Sequence, residues 1–325
     1  MLVLSAAEVA ALLDLDALAD ALQEAMAELS AGLASVPPRV AALVPGRDAM
    51  LAAMPAYLPG PGALAAKLVS VFPQNRDRPT HHALVCCFDP ATGAPVAVID
   101  GTYLTAARTA AGSAVATRLL ARPGASRVAV IGTGVQARAH ARALARLPGV
   151  RTVLIAGRDP AKARVLAGEL IAAGVPAQAA SSVPDAVRSA VVVCAATHAA
   201  APVLRREWLL PGTHVNSVGY NAGGDGEVDP ATIRDALVVV ESRAAALAPP
   251  PAGAVELLRA VDARAIDAGD IVEIGQVAAG TARGRAGDTQ LTLYKSVGVA
   301  AQDAAAAALV LAAASERGAG THVTM

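Results

Sequence analysis

The chain has 325 residues, and its 27 Lys and Arg are balanced by 27 Asp and Glu, so its formal net charge is zero. A neutral chain without a basic run lacks the electrostatic footprint of a protein that binds nucleic acid or an anionic membrane. Hydrophobic residues make up 54% and charged residues 17%, which excludes an intrinsically disordered protein. The length predicts about two domains, each able to bury its own core.

The cysteines indicate the compartment. Cys86, Cys87 and Cys194 are too few for a disulfide framework, and two of them are neighbours in sequence. Reduced thiols in a cytoplasmic protein are therefore expected. The most apolar stretch, residues 304–314, is shorter than the roughly 20 residues of a membrane-spanning helix, so we expect a soluble protein without a membrane partner.

The first elements in chain order are helical. Ser5 and Glu8 have the spacing of a capping box, which predicts a short helix after Ser5. A longer helix is expected from about Leu15, with apolar residues at helical spacing as far as Leu33. The two prolines at positions 37 and 38 are expected to end it.

The next segment, up to residue 100, has the pattern of strands. Short apolar runs separated by turn residues predict an antiparallel sheet or meander. The runs cover residues 50–54, 65–72, 83–88 and 96–99. A helix from about Thr102 to Ala121 is expected to follow.

Beyond this helix the strands and helices alternate, which predicts a doubly wound parallel sheet of the Rossmann type. The expected strands are 127–131, 152–156, 191–195, 214–219 and 237–241, with a helix over 160–172. From about Thr289 the pattern returns to helix, which we expect to pack against the first domain. The fold class is therefore α/β, with a Rossmann domain over 118–289 and an α+β domain over 1–117 that residues 290–325 complete.

A glycine loop lies between the first strand and helix of the Rossmann domain. In the run GTGVQA, Gly132 permits a tight turn, Gly134 lets a pyrophosphate approach the backbone, and Ala137 keeps the helix close to the strand. The free N–H groups at the helix start would bind phosphate oxygens. A purely structural glycine turn is the alternative. The candidate cofactor residues of this loop are Gly132, Thr133, Gly134, Val135 and Gln136.

The tip of the next strand bears on the choice of cofactor. Enzymes that prefer NAD usually place an Asp or Glu there to accept the ribose 2′-OH. Here Ala156 and Gly157 are followed by Arg158, which suits a 2′-phosphate, so NADP(H) is favoured and NAD(H) remains possible. Asp159 is the competing candidate if the register differs by two residues, and Arg158 as a solvated loop residue is the other alternative.

Four segments together resemble the ornithine cyclodeaminase and mu-crystallin family. They are KLVSVFPQN from Lys67, TGAPVAVIDGTYLTAARTAAGSAVATRLLAR from Thr92, the glycine loop, and LYKSVGVAAQDAAAA from Leu293. The resemblance implies a homodimer whose first domain supplies the substrate site and the subunit contact. It also implies hydride transfer between a nicotinamide and the α-carbon of an amino or imino acid. The family includes cyclodeaminases, alanine dehydrogenases and ketimine reductases.

The resemblance also assigns roles to residues. Arg108 looks like the family's carboxylate-binding arginine, Arg39 resembles a second arginine near that carboxylate, and Lys67 resembles the active-site lysine. A guanidinium can bind a carboxylate through two parallel hydrogen bonds, and a buried lysine can donate a proton. Further residues that the resemblance places against the cofactor are Thr109, Thr197, Val218, Gly219, Ser296 and Gly298.

One position departs from the family pattern. Six residues before Glu227, where the family's catalytic aspartate stands, this chain has Asn221. An asparagine can hydrogen-bond a substrate nitrogen but cannot remove a proton, which favours reduction of an imine or ketimine over cyclodeamination. Asp225 is the alternative base if the loop is re-spaced, so cyclodeaminase or alanine-dehydrogenase-like activity stays open. A non-catalytic NADPH-binding protein is a further alternative.

A metal site is not expected. His81 and His82, like Cys86 and Cys87, are adjacent in a predicted strand. Adjacent side chains of a strand point to opposite faces, so these four groups cannot converge on one ion.

Overall fold

The computed structural model describes residues 1–220 and 224–324. The chain divides into unit 1, residues 1–108 and 298–325, and unit 2, residues 109–297. The sequence predicts these boundaries at 117/118 and 289/290. The α/β fold class, with a Rossmann-type parallel sheet and a second domain, is confirmed.

The elements up to residue 120 comprise two helices, a group of strands and a third helix. They are β1 (Leu2–Leu4), α1 (Ala6–Leu12), α2 (Leu15–Ser30), β2 (Val40–Val44), β3 (Ala49–Leu58), β4 (Ala63–Val71), β5 (His81–Phe88), β6 (Pro95–Asp100) and α3 (Gly101–Leu120).

The following elements alternate between strands and helices. They are β7 (Arg127–Ile131), α4 (Val135–Ala145), β8 (Thr152–Ala156), α5 (Pro160–Ala172), β9 (Ala177–Ala179), α6 (Val183–Arg188), β10 (Val192–Ala195), β11 (His214–Ser217), α7 (Pro230–Asp235), β12 (Ala236–Val240), α8 (Arg243–Ala246), α9 (Val255–Asp262), β13 (Val272–Glu273), α10 (Ile274–Ala278), β14 (Leu291–Lys295), α11 (Ala300–Arg317) and β15 (Thr321–His322).

Unit 1 is built on a sheet that, within the described residues, has seven strands in the order β15-β1-β6-β5-β4-β3-β2. Strands β2 to β6 form the predicted antiparallel meander, and β1 adds to β6 in parallel. Along β3 the residues Ala52, Met54, Ala56 and Leu58 are buried, while Leu51 and Tyr57 face outward. The inner face packs against α11, which also packs against α2.

Helix α2 ends earlier than the sequence predicts. The capping box of Ser5 and Glu8 is present at α1, as expected. However, α2 ends at Ser30, because Gly32 adopts a left-handed conformation with φ +72° and terminates the helix before the prolines. Leu33 consequently lies outside the helix and is exposed.

Unit 2 contains a sheet that, among the described residues, has eight strands, all parallel, in the order β13-β12-β14-β11-β10-β7-β8-β9. The predicted bounds of β7, β8 and α5 are confirmed. From β7 the chain continues to β8 on one side and returns to β10 on the other. Ligands of such sheets bind beyond the carboxyl ends of the strands at this change of direction.

The segment after Thr289 is not helical at first, so that prediction was wrong. Residues Leu291–Lys295 form β14, which lies between β11 and β12 in the middle of the sheet. All five residues are buried, including Thr292 and Lys295, whose polar groups have hydrogen-bond partners inside unit 2. A five-residue run with two polar side chains does not show the continuous apolar pattern of a central parallel strand.

Candidate active site

A buried ionic cluster lies on the inner face of the unit 1 sheet. Lys67 comes from β4, Arg108 from α3 and Asp303 from α11, and their exposed fractions are 2%, 5% and 1%. The Lys67 Nζ atom is 2.9 Å from both Oδ1 and Oδ2 of Asp303. Arg108 donates from Nε to Asp303 Oδ1 at 3.0 Å and from Nη1 to Gln302 Oε1 at 2.8 Å. One carboxylate therefore anchors both cations.

Arg39 joins this cluster through the backbone of Gly298. Its Nη2 donates to the Gly298 carbonyl at 2.8 Å. Gly298 has φ +73°, and a Cβ there would lie 2.9 and 3.0 Å from Nη1 and Nη2 of Arg108. The resemblance assigns Gly298 to the cofactor, whereas the structure places it directly against both arginines. Only glycine leaves the guanidinium of Arg108 in its position.

The cluster carries an excess of positive charge. Lys67 and Arg108 both bind the carboxylate of Asp303, and Arg39 acts on Lys67 as a further positive charge. The Nη2 group of Arg108 and the buried Nε2 group of Gln302 have no hydrogen-bond acceptor among the described residues. Unmatched buried cations and donors are unfavourable. An anionic oxygen that reached Arg108 Nη2 would accept the hydrogen bond that this group lacks.

The ionisation of Lys67 is tuned by burial and its neighbours. Burial, with the positive charge of Arg108, lowers the pKa of Lys67 to about 8, although Asp303 raises it. Burial opposes ionisation of Asp303, but Arg108 and Lys67 hold its pKa below its usual value. Near pH 7 the pair is therefore an ammonium and a carboxylate, and the ammonium can release a proton close to neutrality.

The glycine loop lies at the carboxyl end of β7. Gly132 has φ +131°, and a Cβ there would lie 2.4 Å from the Ala196 carbonyl oxygen. Gly134 is the N-cap of α4, where no side chain caps the helix, and among the described residues no atom lies within 4 Å of a Cβ added there. There is therefore room for a phosphate beside the start of α4. Ala137 is fully buried, as expected for close helix packing.

The other predicted residues of the glycine loop line the same region. Gln136 has a buried Oε1 atom without a hydrogen-bond donor among the described residues. Thr133 is half-buried and its Cγ2 would contact a Cβ at Gly157, while Val135 is exposed. The open space at Gly134 leaves room for a dinucleotide pyrophosphate at the start of α4, whereas the Gln136 oxygen, itself an acceptor, could only receive a donor such as a ribose hydroxyl.

A buried glutamate fixes the ends of β10 and β11. Glu227 accepts hydrogen bonds from the backbone N and Oγ1 of Thr197, at 2.6 and 2.7 Å. It also accepts from Ser217 Oγ at 3.1 Å and from Gly219 N at 2.6 Å. The Val218 N–H donates to Ala195 O at 3.0 Å. Glu227 thus holds Thr197 and Gly219, two predicted cofactor residues, in one arrangement.

Two further buried pairs support the same end of the sheet. Lys295 forms an ion pair with Glu256 at 2.8 Å and donates to the Gly219 carbonyl at 2.8 Å. Ser296 donates from Oγ to Glu241. Thr109 is buried in α3. The predicted cofactor residues of unit 2 that follow β7, β10, β11 and β14 therefore lie at carboxyl ends of the strands.

The tip of β8 carries Gly157 and Arg158 before its first carboxylate, that of Asp159. The strand ends at the buried Ala156. Arg158 is exposed and has no hydrogen bond or ion pair among the described residues. The Asp159 side chain is the N-cap of α5, accepting from the N–H groups of Ala161 and Lys162 at 2.9 and 3.3 Å.

The predicted Asn221 lies outside the described residues. Its alternative, Asp225, is mostly exposed and is paired with Arg259. Sequence reasoning missed Asp303, Gln302 and Glu227. The available signal was Asp303, a single acidic residue inside the alanine-rich run of α11. From sequence this run predicts a packing helix, because the partners of Asp303 on β4 and α3 are known only from the structure.

Neither a metal cluster nor a membrane helix is found in the part of the chain that the structure describes. There, no group of three or more His, Cys, Asp or Glu side chains is arranged to hold a metal ion. Likewise, no helix of residues 1–220 and 224–324 is both long and apolar enough to cross a bilayer.

Comparison with known proteins agrees with this architecture. Ketimine reductase mu-crystallin of Mus musculus is 36% identical over 276 residues, which cover 84% of this chain and 83% of the relative. The structure of Thermococcus litoralis Delta(1)-pyrroline-2-carboxylate reductase, in complex with NADH and L-proline, matches with a TM-score of 0.93 and 34% identity, covering 99% of this chain and 100% of that one.

An archaeal alanine dehydrogenase dimer with bound NAD matches with a TM-score of 0.89 and 32% identity, covering 100% of this chain and 99% of that one. The sequence pattern of the ornithine cyclodeaminase/mu-crystallin family matches residues 1–318. Because the match spans nearly the whole chain, this protein belongs to the ornithine cyclodeaminase/mu-crystallin family.

Proposed function

We propose that this protein is an NAD(P)H-dependent oxidoreductase that reduces the C=N bond of an imine or ketimine bearing a carboxylate. The observation that carries the proposal is the buried pairing of Lys67 and Arg108 with the carboxylate of Asp303, with the half-buried Arg39 beside them on the Gly298 carbonyl. Relatives named ketimine reductase and pyrroline-2-carboxylate reductase support the same reaction class.

The substrate's acid group is bound by the guanidinium of Arg108, assisted by Arg39. Arg108 uses Nε and Nη1 for Asp303 and Gln302, which fixes the plane of the guanidinium and leaves Nη2 for the substrate. The substrate carboxylate offsets the excess positive charge of the cluster. Because the carboxylate is held, the neighbouring α-carbon is fixed in position, and such positioning can lower the activation barrier by roughly several kcal/mol.

The proton comes from Lys67. When bound, a reduced nicotinamide supplies the hydride that the α-carbon receives. Lys67 Nζ donates its proton to the imine nitrogen, so that C=N becomes CH–NH, and the neutral amine regains a proton from water. Because the pKa of Lys67 lies at about 8, its ammonium is the main form at neutral pH and can still release a proton readily.

The identity of residue 221 favours reduction over cyclodeamination. Loss of ammonia and attack by a second amine require a base, and Asn221 cannot ionise. Asp225 is exposed and paired with Arg259, which does not support it as a replacement base. Reduction of a preformed imine needs only a hydride, a proton donor and an acid-binding group.

A substrate panel tests the function. Cyclic imino acids, and 2-oxo acids mixed with amines, should oxidise NADPH or NADH in a protein-dependent reaction. Ornithine should release no ammonia. Ammonia release from ornithine, with no imine reduced, would assign the chain to the cyclodeaminases, and measurable NADPH binding without any turnover would make it a binding protein.

Arg108 variants test the site. Arg108→Ala should lower kcat/KM for carboxylated imines by at least about 100-fold, since positioned binding groups contribute on this scale. Arg108→Lys should recover only a small part, because an ammonium lacks the planar fork of donors. Arg234→Ala, in which an exposed arginine of α7 is removed, is the matched control and should retain full activity. Intact kcat/KM in Arg108→Ala would contradict the assignment.

We infer a preference for NADP(H) over NAD(H). NAD(H) is the alternative, since two solved relatives carry NADH and NAD. The preference for NADP(H) is supported by Arg158, which is exposed at the tip of β8, and by Asp159, whose carboxylate caps α5. A guanidinium there can bind a 2′-phosphate, and the Oδ1 atom of Asp159 is used in capping α5.

Charge reversal tests the cofactor preference. Arg158→Asp should weaken NADPH much more than NADH, measured as the KM for each cofactor. The exposed Arg164→Asp on α5 is the control and should change both equally little. Equal loss of both cofactors in Arg158→Asp would remove the case for 2′-phosphate recognition.

We also propose a homodimer formed through the outer face of the unit 1 sheet. This face exposes Val40, Leu51 and Leu84 by 65%, 49% and 47%. The register places Ala53, Leu68 and Leu84 in one row across β3, β4 and β5, so the apolar face is continuous. Large exposed apolar patches mark protein contacts. The related alanine dehydrogenase is a dimer.

Light scattering tests this surface. Wild type should have the mass of two chains, and Leu84→Glu should have the mass of one. Val165→Glu changes an equally apolar residue, 62% exposed on α5, and should leave the mass unchanged. A dimeric Leu84→Glu variant would place the contact elsewhere.

A further inference from the structure

We propose that Asp303 is a positioning residue of the reaction, which holds Lys67 as the ammonium proton donor and orients the acid-binding face of Arg108. The inference rests on the proposed role of Lys67 in imine reduction. It concerns a carboxylate that touches neither substrate nor cofactor in that proposal.

The geometry of Asp303 is that of a shared anchor. Its Oδ1 accepts from Lys67 Nζ at 2.9 Å and from Arg108 Nε at 3.0 Å, and its Oδ2 lies 2.9 Å from the same Nζ. The side chain lies in the first turn of α11, where the helix dipole favours a negative charge. Gln302, its neighbour, accepts from Arg108 Nη1. One helical turn therefore fixes two sides of the guanidinium.

The charges around Lys67 make this carboxylate decisive. The charged groups that act on Lys67 are Asp303 of α11, Arg108 of α3 and Arg39. The flanking strands place Met54 and Val85, both uncharged, beside it. Without Asp303, the charges among the described residues that act on this buried ammonium would be those of two guanidinium groups. Burial and like charges both favour the neutral amine, so Lys67 would lose its proton near neutral pH.

Asp303 also keeps the Nζ atom in place through the reaction. Lys67 begins as an ammonium and ends as a neutral amine after the imine nitrogen takes its proton. A neutral amine still donates N–H groups, so the hydrogen bond to the carboxylate persists in both states. The proton regained from water therefore returns to a nitrogen that has not moved.

The small number of lysines allows a direct test. The chain contains only Lys67, Lys162 and Lys295, so NMR of protein labelled with [13C]lysine gives few side-chain signals to titrate. Loss of one signal in Lys67→Arg assigns Lys67. In wild type, the Lys67 signal should show an ammonium at pH 7, with a midpoint near pH 8. A neutral amine at pH 7 in wild type would overturn the proposal.

The variant Asp303→Asn removes the charge and retains the shape. The Lys67 midpoint should fall by about 1 to 3 pH units, the range for loss of an opposite charge at this distance. The midpoint of the exposed Lys162 should not move. An unchanged Lys67 midpoint in a folded Asp303→Asn protein would also overturn the proposal. The titration requires no turnover, so its result is independent of whether imines are substrates.

The pH profile of activity gives the second readout. The alkaline limb of kcat/KM for imine reduction should move to lower pH in Asp303→Asn by the same amount as the Lys67 midpoint. Asp235→Asn, which removes an exposed carboxylate paired with Arg206 and Arg234, is the matched control and should leave the limb in place. A uniform loss of activity without movement of the limb would indicate a merely structural role for Asp303.

Discussion

Gly298 offers a sharp test of the active-site geometry, because an added methyl group there must displace the guanidinium of Arg108. In Gly298→Ala the new Cβ would lie 2.9 and 3.0 Å from Nη1 and Nη2 of Arg108. Ordinary contact requires about 3.4 Å or more, so the guanidinium has to retreat by roughly 0.5 Å.

The expected effect has two parts. An alanine at φ +73° destabilises the folded state by about 1–2 kcal/mol, since the left-handed region is unfavourable for a residue with a Cβ. The displaced guanidinium should lower kcat/KM for carboxylated imines by roughly tenfold, because a 1 Å misplacement can cost about 100-fold. The loss should appear mainly with carboxylated substrates.

Gly318 provides the matched control. It caps α11 with φ +61°, and among the described residues no atom lies within 4 Å of a Cβ added there. Gly318→Ala should therefore show a similar loss of stability in denaturant unfolding with unchanged kcat/KM. If Gly298→Ala keeps kcat/KM within about twofold of Gly318→Ala, the close packing of Gly298 on the substrate-binding arginine does not matter for catalysis, and the reasoning is refuted.

Two further predictions concern unit 2. Glu227→Gln places an NH2 group among the donors of Thr197, Ser217 and Gly219, so it should lower the free energy of unfolding by about 1–3 kcal/mol. It should also weaken NADPH binding, measured by fluorescence titration. Unchanged affinity for NADPH would show that the hydrogen bonds to Glu227 do not shape the cofactor site. Burial lowers the pKa of His140 to about 4, so the unfolded state binds more protons between about pH 6.5 and 4. Above about pH 6.5 the neutral His140 imidazole contributes its full stabilisation, and about 3 kcal/mol of the free energy of unfolding should be lost in wild type as the pH falls to about 4. A His140→Gln variant should lack this pH-dependent loss in urea unfolding. An identical dependence of the unfolding free energy on pH in both proteins would contradict the prediction.

The elements that were predictable are those whose pattern is local. The glycine loop and the apolar strands around it predict β7, β8 and α5 with their observed bounds. The antiparallel meander of unit 1 is marked by turn residues between short apolar runs. By contrast, β1, β13 and β15 have only two or three residues, which is too short for an alternation to be recognised.

The residues of the candidate site that lie in a recognisable motif could be predicted from the sequence, whereas those brought together from distant segments could not. Lys67 and Arg108 stand in segments that resemble the family, whereas Asp303 reads as part of an alanine-rich packing helix. Its partners lie 195 and 236 residues earlier in the chain. A buried carboxylate is recognised by the cations that compensate it, and that pairing is a property of the tertiary structure.

The late position of β14 has a consequence for biosynthesis. The strand is completed only at Lys295, yet it lies between β11 and β12, which precede it by more than 50 residues. While the nascent chain emerges from the ribosome, β11 and β12 have no strand to join them, and their unpaired edges are open to intermolecular pairing. The parallel sheet can close only after Lys295 has been translated, so we expect this protein to depend on chaperones during synthesis more than the stability of its folded state would suggest.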